Sequence, residues 1–393
     1  MTVNREYKAV KKTIYFILKD DLVYYPPVLS ILKVSTELGW HAVFIGNYAD
    51  DMQKKQLEAK GVLFKPTVKM SDTASMPKKL IEKLRFRTQV YKYLNELAVT
   101  ASDYVWLFHS ETLCLLHKLV GRYRVIYHPL EFTLPKADWK YRLLSPSLNL
   151  SETVRQACKV VCCEYNRAQL TKGIFALDKL PYVLPNKMYV PDEEESAFPS
   201  DIRKLVSPIL SKLKGKKVIL YQGVFLDRER RLEEFCEAVR TLPDEYILVA
   251  MGRGSEYYEA LKKKYASDRV LFIPFIRPPY HLLITKEASI GVLSYFPDST
   301  SIAGVINPLY CAPNKIFEYA RYGVPMISND IPGLHYLFMQ YGCGETVCSP
   351  MTTEAICKAI GQIQAHYADY ASGAKRYYES VDVKKLIASI LSD

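Results

Sequence analysis

The chain has 393 residues, 49% of them hydrophobic and 24% charged, which excludes a largely disordered or fibrous protein and suggests two or three domains with their own cores. No apolar run approaches the roughly 20 residues that cross a bilayer, and Thr13–Leu18 is too short for a signal-peptide core, so a soluble cytoplasmic protein is expected. The net charge is +11, and residues 1–150 carry +9 of it, from 23 Lys and Arg against 14 Asp and Glu.

Short apolar runs predict strands at Thr13–Leu18, His41–Ile45, Tyr104–Phe108, Arg124–Tyr127, Lys159–Cys163 and Tyr182–Leu184 in the first half. Residues 54–92 hold eleven basic side chains and three acidic ones. Within them, 78–92 (KKLIEKLRFRTQVYK) spaces Leu80, Ile81, Leu84, Phe86 and Val90 as a helix does. Its basic face is either simply solvated or rests on an anionic membrane, with ~1 kcal/mol per basic residue near the lipid. No helix-turn-helix, zinc finger or aromatic-basic RNA motif is present, so nucleic acid is not an expected partner. The second half predicts strands at Val218–Tyr221, Tyr246–Met251, Val270–Ile273, Ile290–Leu293 and Pro325–Ser328. Amphipathic stretches lie between them at Arg231–Thr241, Glu256–Tyr265 and Lys315–Tyr322. The alternation argues for parallel sheets covered by helices, and it runs twice. The break at 185–216 contains Pro185, the acidic run Asp192–Glu195, Pro199 and a basic stretch at 212–217. The expected fold class is therefore α/β, with two Rossmann-like domains facing each other across a cleft and ligands at the carboxyl ends of the strands. The expected boundaries are 1–190, a linker at 191–215, 216–365, and a helical 366–393. Nine cysteines, odd in number and without a CxxC pair, read as small buried residues in a reducing compartment rather than disulfides or zinc ligands.

Three segments of the second half could carry chemistry. In 221–235 a strand runs into Gly223, where a missing Cβ lets backbone N–H groups approach a phosphate. Arg228, Arg230 and Arg231 then cluster where a helix is expected to start, an unfavourable end for cations unless an anion arrives. Asp227, Glu233 or Glu234 can balance two of them, and Arg230 is the expected phosphate ligand. In 249–261 a strand, Gly252, Gly254 and a helix follow one another. The third glycine of the dinucleotide fingerprint is missing, so NAD is not expected and the segment reads as a tight turn beside the cleft. In 307–330, Pro313 precedes a helix that Asn314 could cap. Lys315 and Glu318 share one face of it. Lys315 could hold a phosphate, and Glu318 could accept from ribose hydroxyls. Alone, the two would read as a surface pair worth ~0.2–0.5 kcal/mol. His109 and His128 each end an apolar strand, with Glu111 and Glu131 the nearest carboxylates. No D-x-D triplet occurs, and no essential metal or separate cofactor is expected.

In order, LYQGVF…RRLEEF, the MGRG turn, RVLFIPFI, ASIGVLSY, APNKIFEYARYGVPMI and NDIPGL resemble glycosyltransferase family 4 over most of 217–362. More weakly, DYVWLFHSE, RVIYHPLEF and KVVCCEYNRAQL followed by VLPN resemble segments of the family's first domain. The resemblance implies a GT-B fold whose final helix crosses back onto the first domain. It implies sugar transfer from a nucleotide-sugar donor to a saccharide or lipid-linked saccharide acceptor, retaining and metal-independent, in the assembly of surface polysaccharide or other glycoconjugates. The basic charge of the first half adds the expectation of a peripheral position at the inner membrane face. Gly223 and Arg230 match the residues that hold the donor diphosphate. Glu318 matches the second Glu of a Glu-x7-Glu motif, which binds the ribose. Asn314 and Lys315 belong to the P-N-K form of that motif, and Asn307 to its N-x5-P-x-K-x2-E form. His128 matches the histidine that approaches the donor sugar. The catalytic set so implied is His128, Arg230 and Lys315. The donor-binding set is Gly223, Arg230, Gly252, Asn307, Asn314, Lys315 and Glu318. Tyr310 stands where the first motif Glu would be, which leaves two further readings: a catalytically inactive GT-B partner that binds sugar, and a nucleotide-sugar 2-epimerase. Glu111 or Glu131, with a raised pKa, could serve as base in an inverting transfer.

Overall fold

The computed structural model describes residues 12–71, 73–189, 199–298 and 300–392. It divides into two compact units. The first takes the described residues up to Leu184 together with those from Lys384 onward, and the second takes Pro185–Val383.

The first unit is one seven-stranded sheet, made of β1 (Thr13–Asp21), β2 (His41–Asn47), β3 (Leu63–Lys65), β4 (Tyr104–Phe108), β5 (Arg124–His128), β6 (Lys159–Cys162) and β7 (Tyr182–Val183). Every pairing is parallel, and the order is β3-β2-β1-β4-β5-β6-β7. Central strands such as Tyr104–Phe108 are apolar throughout because helices cover both faces. Ile17, Val43, Val105, Leu107 and Tyr127 pack with Phe86, Val90 and Leu94 of the helix Met76–Glu96. The last helix, Val383–Leu391, closes this unit. Lys159 Nζ donates to the Ile390 carbonyl at 2.5 Å, and Lys384 Nζ lies 3.0 Å from Glu37 Oε2.

The second unit repeats the plan with β8 (Lys217–Gly223), β9 (Tyr246–Gly252), β10 (Val270–Pro274), β11 (Ala288–Leu293), β12 (Met326–Asn329) and β13 (Gly344–Val347). The order β10-β9-β8-β11-β12-β13 is again parallel and reverses direction between β8 and β11. That is the Rossmann order, with its switch point beside the carboxyl end of β8. Its core joins Ile219, Tyr221, Leu248, Ala250, Ile290 and Val292 to Phe235, Leu261 and Ile360 from the helices.

All eleven expected strands are present, and the α/β class with two Rossmann-like sheets is confirmed. Two edge strands, β3 and β13, were not anticipated. LFK and GETV are short and half-exposed, so they carry no apolar run. The expected linker needs correction. The acidic run 192–195 lies outside the described residues, but Ser200–Leu213 is a helix of the second unit, seated by Ile202, Val206 and Leu213. Pro199 suggested a break, yet it stands at the helix N-cap, where its missing N–H costs nothing. All nine cysteines are free thiols, and six are buried. Among the described residues, no helix is long and apolar enough to cross a membrane.

Candidate active site

The carboxyl end of β8 organises the second unit's site. Gly223 is its last residue and takes a φ of +140°, a backbone region that favours glycine. A Cβ there would stand 3.1 Å from Lys315 Nζ, so the glycine leaves the ammonium approachable. Lys315 itself is only 8% exposed. Its Nζ sits 4.2 Å from the ring centre of Tyr221 and 5.3 Å from that of Tyr295. The Tyr295 ring also carries Arg230, whose Cζ lies 4.1 Å from its centre. Burial first, and then the Arg230 charge, lower the Lys315 pKa to about 7, against the pull of Glu318. Two cations thus share one aromatic surface in a nearly dry position. Mutual repulsion and desolvation both disfavour that arrangement until an anion joins them.

Glu318 is held rather than free. Its Oε2 accepts from Gln222 Nε2 at 2.5 Å, and its Oε1 lies 3.1 Å from His281 Nε2. Thr285 Oγ1 donates to Gln222 Oε1 at 2.7 Å and fixes that amide in turn. A carboxylate so tethered keeps lone pairs for further donors, in one orientation. The reading of Lys315 and Glu318 as an exposed surface pair is set aside, since both are buried.

The structure corrects two further expectations, the start of the helix after β8 and the cap of the helix that carries Lys315. The helix after β8 begins at Glu233, so the arginines lie in the turn before it, and Glu233 and Glu234 occupy its favourable first turn. Arg231 pairs with Glu234, as expected of a balanced residue, while among the described residues the carboxylate paired with Arg230 is that of its neighbour Glu229, at 3.4 Å. Asn314 is not the cap of its helix. Pro313 is the N-cap, with no side-chain hydrogen bond, and Asn314 is the first helical residue. Gly252 has a packing role. It pairs with Gly223 in the ladder, and a Cβ on it would lie 1.9 Å from the Gly223 carbonyl oxygen. Asn307 sits in the separate helix Ile302–Leu309, which Tyr310 terminates; both are half-buried.

In the first unit the ranking of the two histidines reverses. His128 is 0% exposed, and its ring centre lies 5.7 Å from Phe108 and 6.3 Å from Trp106. Neither ring nitrogen has a polar partner, and burial, with His109 nearby, lowers its pKa to about 3. It is a core residue that cannot meet a ligand without the strand moving. His109, in contrast, is half-buried at the carboxyl end of β4, with φ +67° and its ring edge against Tyr25 at 4.8 Å. Around it lie Asp20, Glu131, Lys19 and Glu111. Lys19 Nζ binds Glu111 Oε2 at 2.6 Å and Asp20 Oδ1 at 3.1 Å. Burial raises the Glu111 pKa, but Lys19 outweighs it and holds the carboxyl below its ordinary value. That argues against Glu111 as a neutral-pH base.

His128→Phe tests this assignment. The folded histidine stays neutral while the unfolded one protonates below pH ~6.5, so His128 costs stability increasingly as pH falls. The variant should narrow the gap in unfolding free energy between pH ~7.5 and ~5 by about 2 kcal/mol. It should keep any turnover; a folded variant without turnover would return His128 to the site.

Sequence reasoning did not find Gln222, His281, Thr285, Tyr295 or Lys19. Their partners lie tens of residues away, and only the sheet order brings them together. Among the described residues, no group of three or more His, Cys, Asp or Glu is placed to hold a metal ion.

No protein-family model matches the sequence, and no curated protein does. Solved structures match it along nearly its whole length. HepE from Anabaena, in complex with UDP and glucose, superposes with a TM-score of 0.66 at 15% identity, covering 96% of this chain and 98% of that one. WaaG, a glycosyltransferase involved in lipopolysaccharide biosynthesis, gives 0.61 at 15% identity over 96% and 98%. The N-terminal domain of trehalose-6-phosphate phosphatase from Candida albicans gives 0.64 at 13% over 97% and 96%. At such identities the likeness establishes the fold, GT-B, and the residues must carry the rest.

Proposed function

We propose that this chain is a glycosyltransferase whose second unit binds a nucleotide-sugar by its diphosphate and whose first unit binds a saccharide or lipid-linked saccharide acceptor. One observation carries the reading: Lys315 and Arg230, two poorly compensated cations, share the Tyr295 ring, and Lys315 Nζ lies next to Gly223 at the switch point of a Rossmann-ordered sheet. A diphosphate supplies the missing negative charge. Glu318, fixed by Gln222 and His281, is set to accept from the ribose. Asn307 and Asn314 are proposed to add polar contacts to the donor, a role that rests on the motif alone. The UDP and UDP-glucose complexes of HepE support this donor class.

In the proposed reaction the bond between the anomeric carbon and the diphosphate oxygen breaks. Lys315 and Arg230 stabilise the negative charge that develops on the departing nucleoside diphosphate. An acceptor hydroxyl attacks the anomeric carbon from the face that the diphosphate leaves and passes its proton to the departing phosphate oxygen, with retention of configuration. The two cations do the work of a divalent ion, so a chelator should leave turnover unchanged. The proposed setting is the cytoplasmic face of a membrane, in surface polysaccharide or glycoconjugate assembly.

The test is incubation with a panel of nucleotide-sugars and lipid-linked acceptors, reading acceptor-dependent release of nucleoside diphosphate. Arg230→Ala should lower kcat about 100-fold while KM changes little, because the charge it meets grows as the bond breaks. Equal kcat in the variant would remove Arg230 from the site.

A further inference from the structure

We infer that Asn186, Lys187 and Met188 form a strap that sets the position of the helix Asn314–Arg321, which carries Lys315 and Glu318, and that Lys187 links this helix to the point where the chain returns to its first unit. This role rests on the proposed donor site, and it adds how donor binding is felt beyond that site.

The chain leaves the first unit after Leu184 and returns to it at Lys384. Just past the first crossing, three successive side chains each grip a different support of the donor site. Asn186 Nδ2 donates to the Ala312 carbonyl at 2.7 Å, immediately before Pro313, the N-cap of the Lys315 helix. Asn186 Oδ1 is buried without a hydrogen-bond partner among the described residues. The amide is thus held in place at a cost, by one bond. Met188 is buried against Leu282, with Tyr322 packed on both. Leu282 opens the short helix of Thr285 and follows His281, while Tyr322 is the C-cap of the Lys315 helix. The strap therefore meets that helix at both of its ends.

Lys187 joins the strap to the second crossing. Its Nζ donates to the Tyr378 carbonyl at 2.6 Å and to the Val381 carbonyl at 2.7 Å, and lies 3.6 Å from the Tyr378 ring centre. Tyr378 belongs to the last turn of the helix Tyr367–Glu379, whose final carbonyls have no partner within the helix and form its negative end. A lysine suits that position. Burial lowers its pKa to about 8, against the pull of Asp382. The same helix also touches the Lys315 helix directly. Tyr377 stacks on Phe317, with ring centres 4.9 Å apart, and Arg321 Nη1 donates to Tyr378 Oη at 3.0 Å. Val381 lies past the end of Tyr367–Glu379, two residues before Val383, where the second unit ends. It is Lys187 that brings Val381 into register with the donor site.

The test is amide hydrogen exchange of the full chain, free and with UDP, GDP, dTDP and ADP in turn. A nucleotide that slows exchange in 314–321 should also slow it in 380–383, by about fivefold or more. In Lys187→Met the same nucleotide should still protect 314–321, while the response of 380–383 disappears. Lys187→Arg keeps a cation with several donors and should retain that response. Asn186→Ala removes a single bond and one orphaned oxygen, so it should fold as the wild type does and weaken the response. Protection of 314–321 with 380–383 unchanged in the wild type would overturn the inference. An equal response in Lys187→Met and Asn186→Ala would do the same. The ligand-free samples separate the strap from the donor reading. The strap fails alone if a nucleotide protects 314–321 and 380–383 ignores it. The donor reading fails alone if Lys187→Met speeds exchange in both segments of the free protein while none of the four nucleotides changes the wild type.

Discussion

Lys315→Ala is expected to cut turnover by about 10²–10³-fold, the cost of removing one preorganised charge from a developing anion. The lysine also sets a pH dependence. Burial and Arg230 hold it at about 7 in the free protein. A diphosphate beside it favours the charged form, so donor binding draws a proton onto Lys315 whenever the free lysine is neutral. Affinity should be highest below pH ~7 and fall by up to tenfold per pH unit above it, until the pKa of the bound state is reached. A nucleotide-sugar is the right probe, because its diphosphate does not itself titrate in that range. Calorimetry near pH ~8 in buffers of different ionisation enthalpy should register proton uptake in the wild type and none in Lys315→Met. An affinity flat across that range would mean that the ammonium does not meet the donor.

Glu318→Ala is expected to weaken donor binding by about 100-fold and to cost about 1–3 kcal/mol of stability. The stability loss arises because Gln222 Nε2 and His281 Nε2 lose their acceptor in a buried position. Glu318 also supports the charge on Lys315, so removing it pushes the lysine further toward neutrality and weakens binding most at neutral pH. Glu318→Gln separates the two roles. It preserves volume and one acceptor oxygen, so melting should recover more than affinity does. A Glu318→Gln protein with wild-type affinity would show that neither the negative charge nor the second acceptor oxygen matters for the donor.

Most of the fold was legible in the sequence because both sheets are parallel and covered on both faces. Their inner strands, such as Tyr104–Phe108 and Tyr246–Gly252, are therefore continuous apolar runs. Two of the four edge strands were not legible, since Leu63–Lys65 and Gly344–Val347 need no such run. Within the site, Gly223, Arg230, Lys315 and Glu318 were found because they cluster in two short segments with turn and helix signals. What sequence could not supply was environment. Lys315 and Glu318 looked like a solvated pair and are buried. His128 looked like a strand-end ligand, yet the aromatic residues Trp106 and Phe108 of the neighbouring strand enclose it. His281 reaches Glu318 only because the helix Leu282–Thr285 packs beside Asn314–Arg321, a contact set by the sheet order.

The central claim is that the cationic end of β8 receives a nucleoside diphosphate. The most direct test is a thermal-shift titration of the wild type and of Lys315→Ala with UDP, GDP, dTDP, ADP and CMP, with and without Mg²⁺. Ligand at about 100-fold above its dissociation constant adds ~2.7 kcal/mol, a shift of a few degrees. The prediction is a selective shift with one nucleoside diphosphate, indifferent to Mg²⁺ and lost in Lys315→Ala. A wild-type protein that none of the five shifts, or a shift that survives in Lys315→Ala, would contradict it.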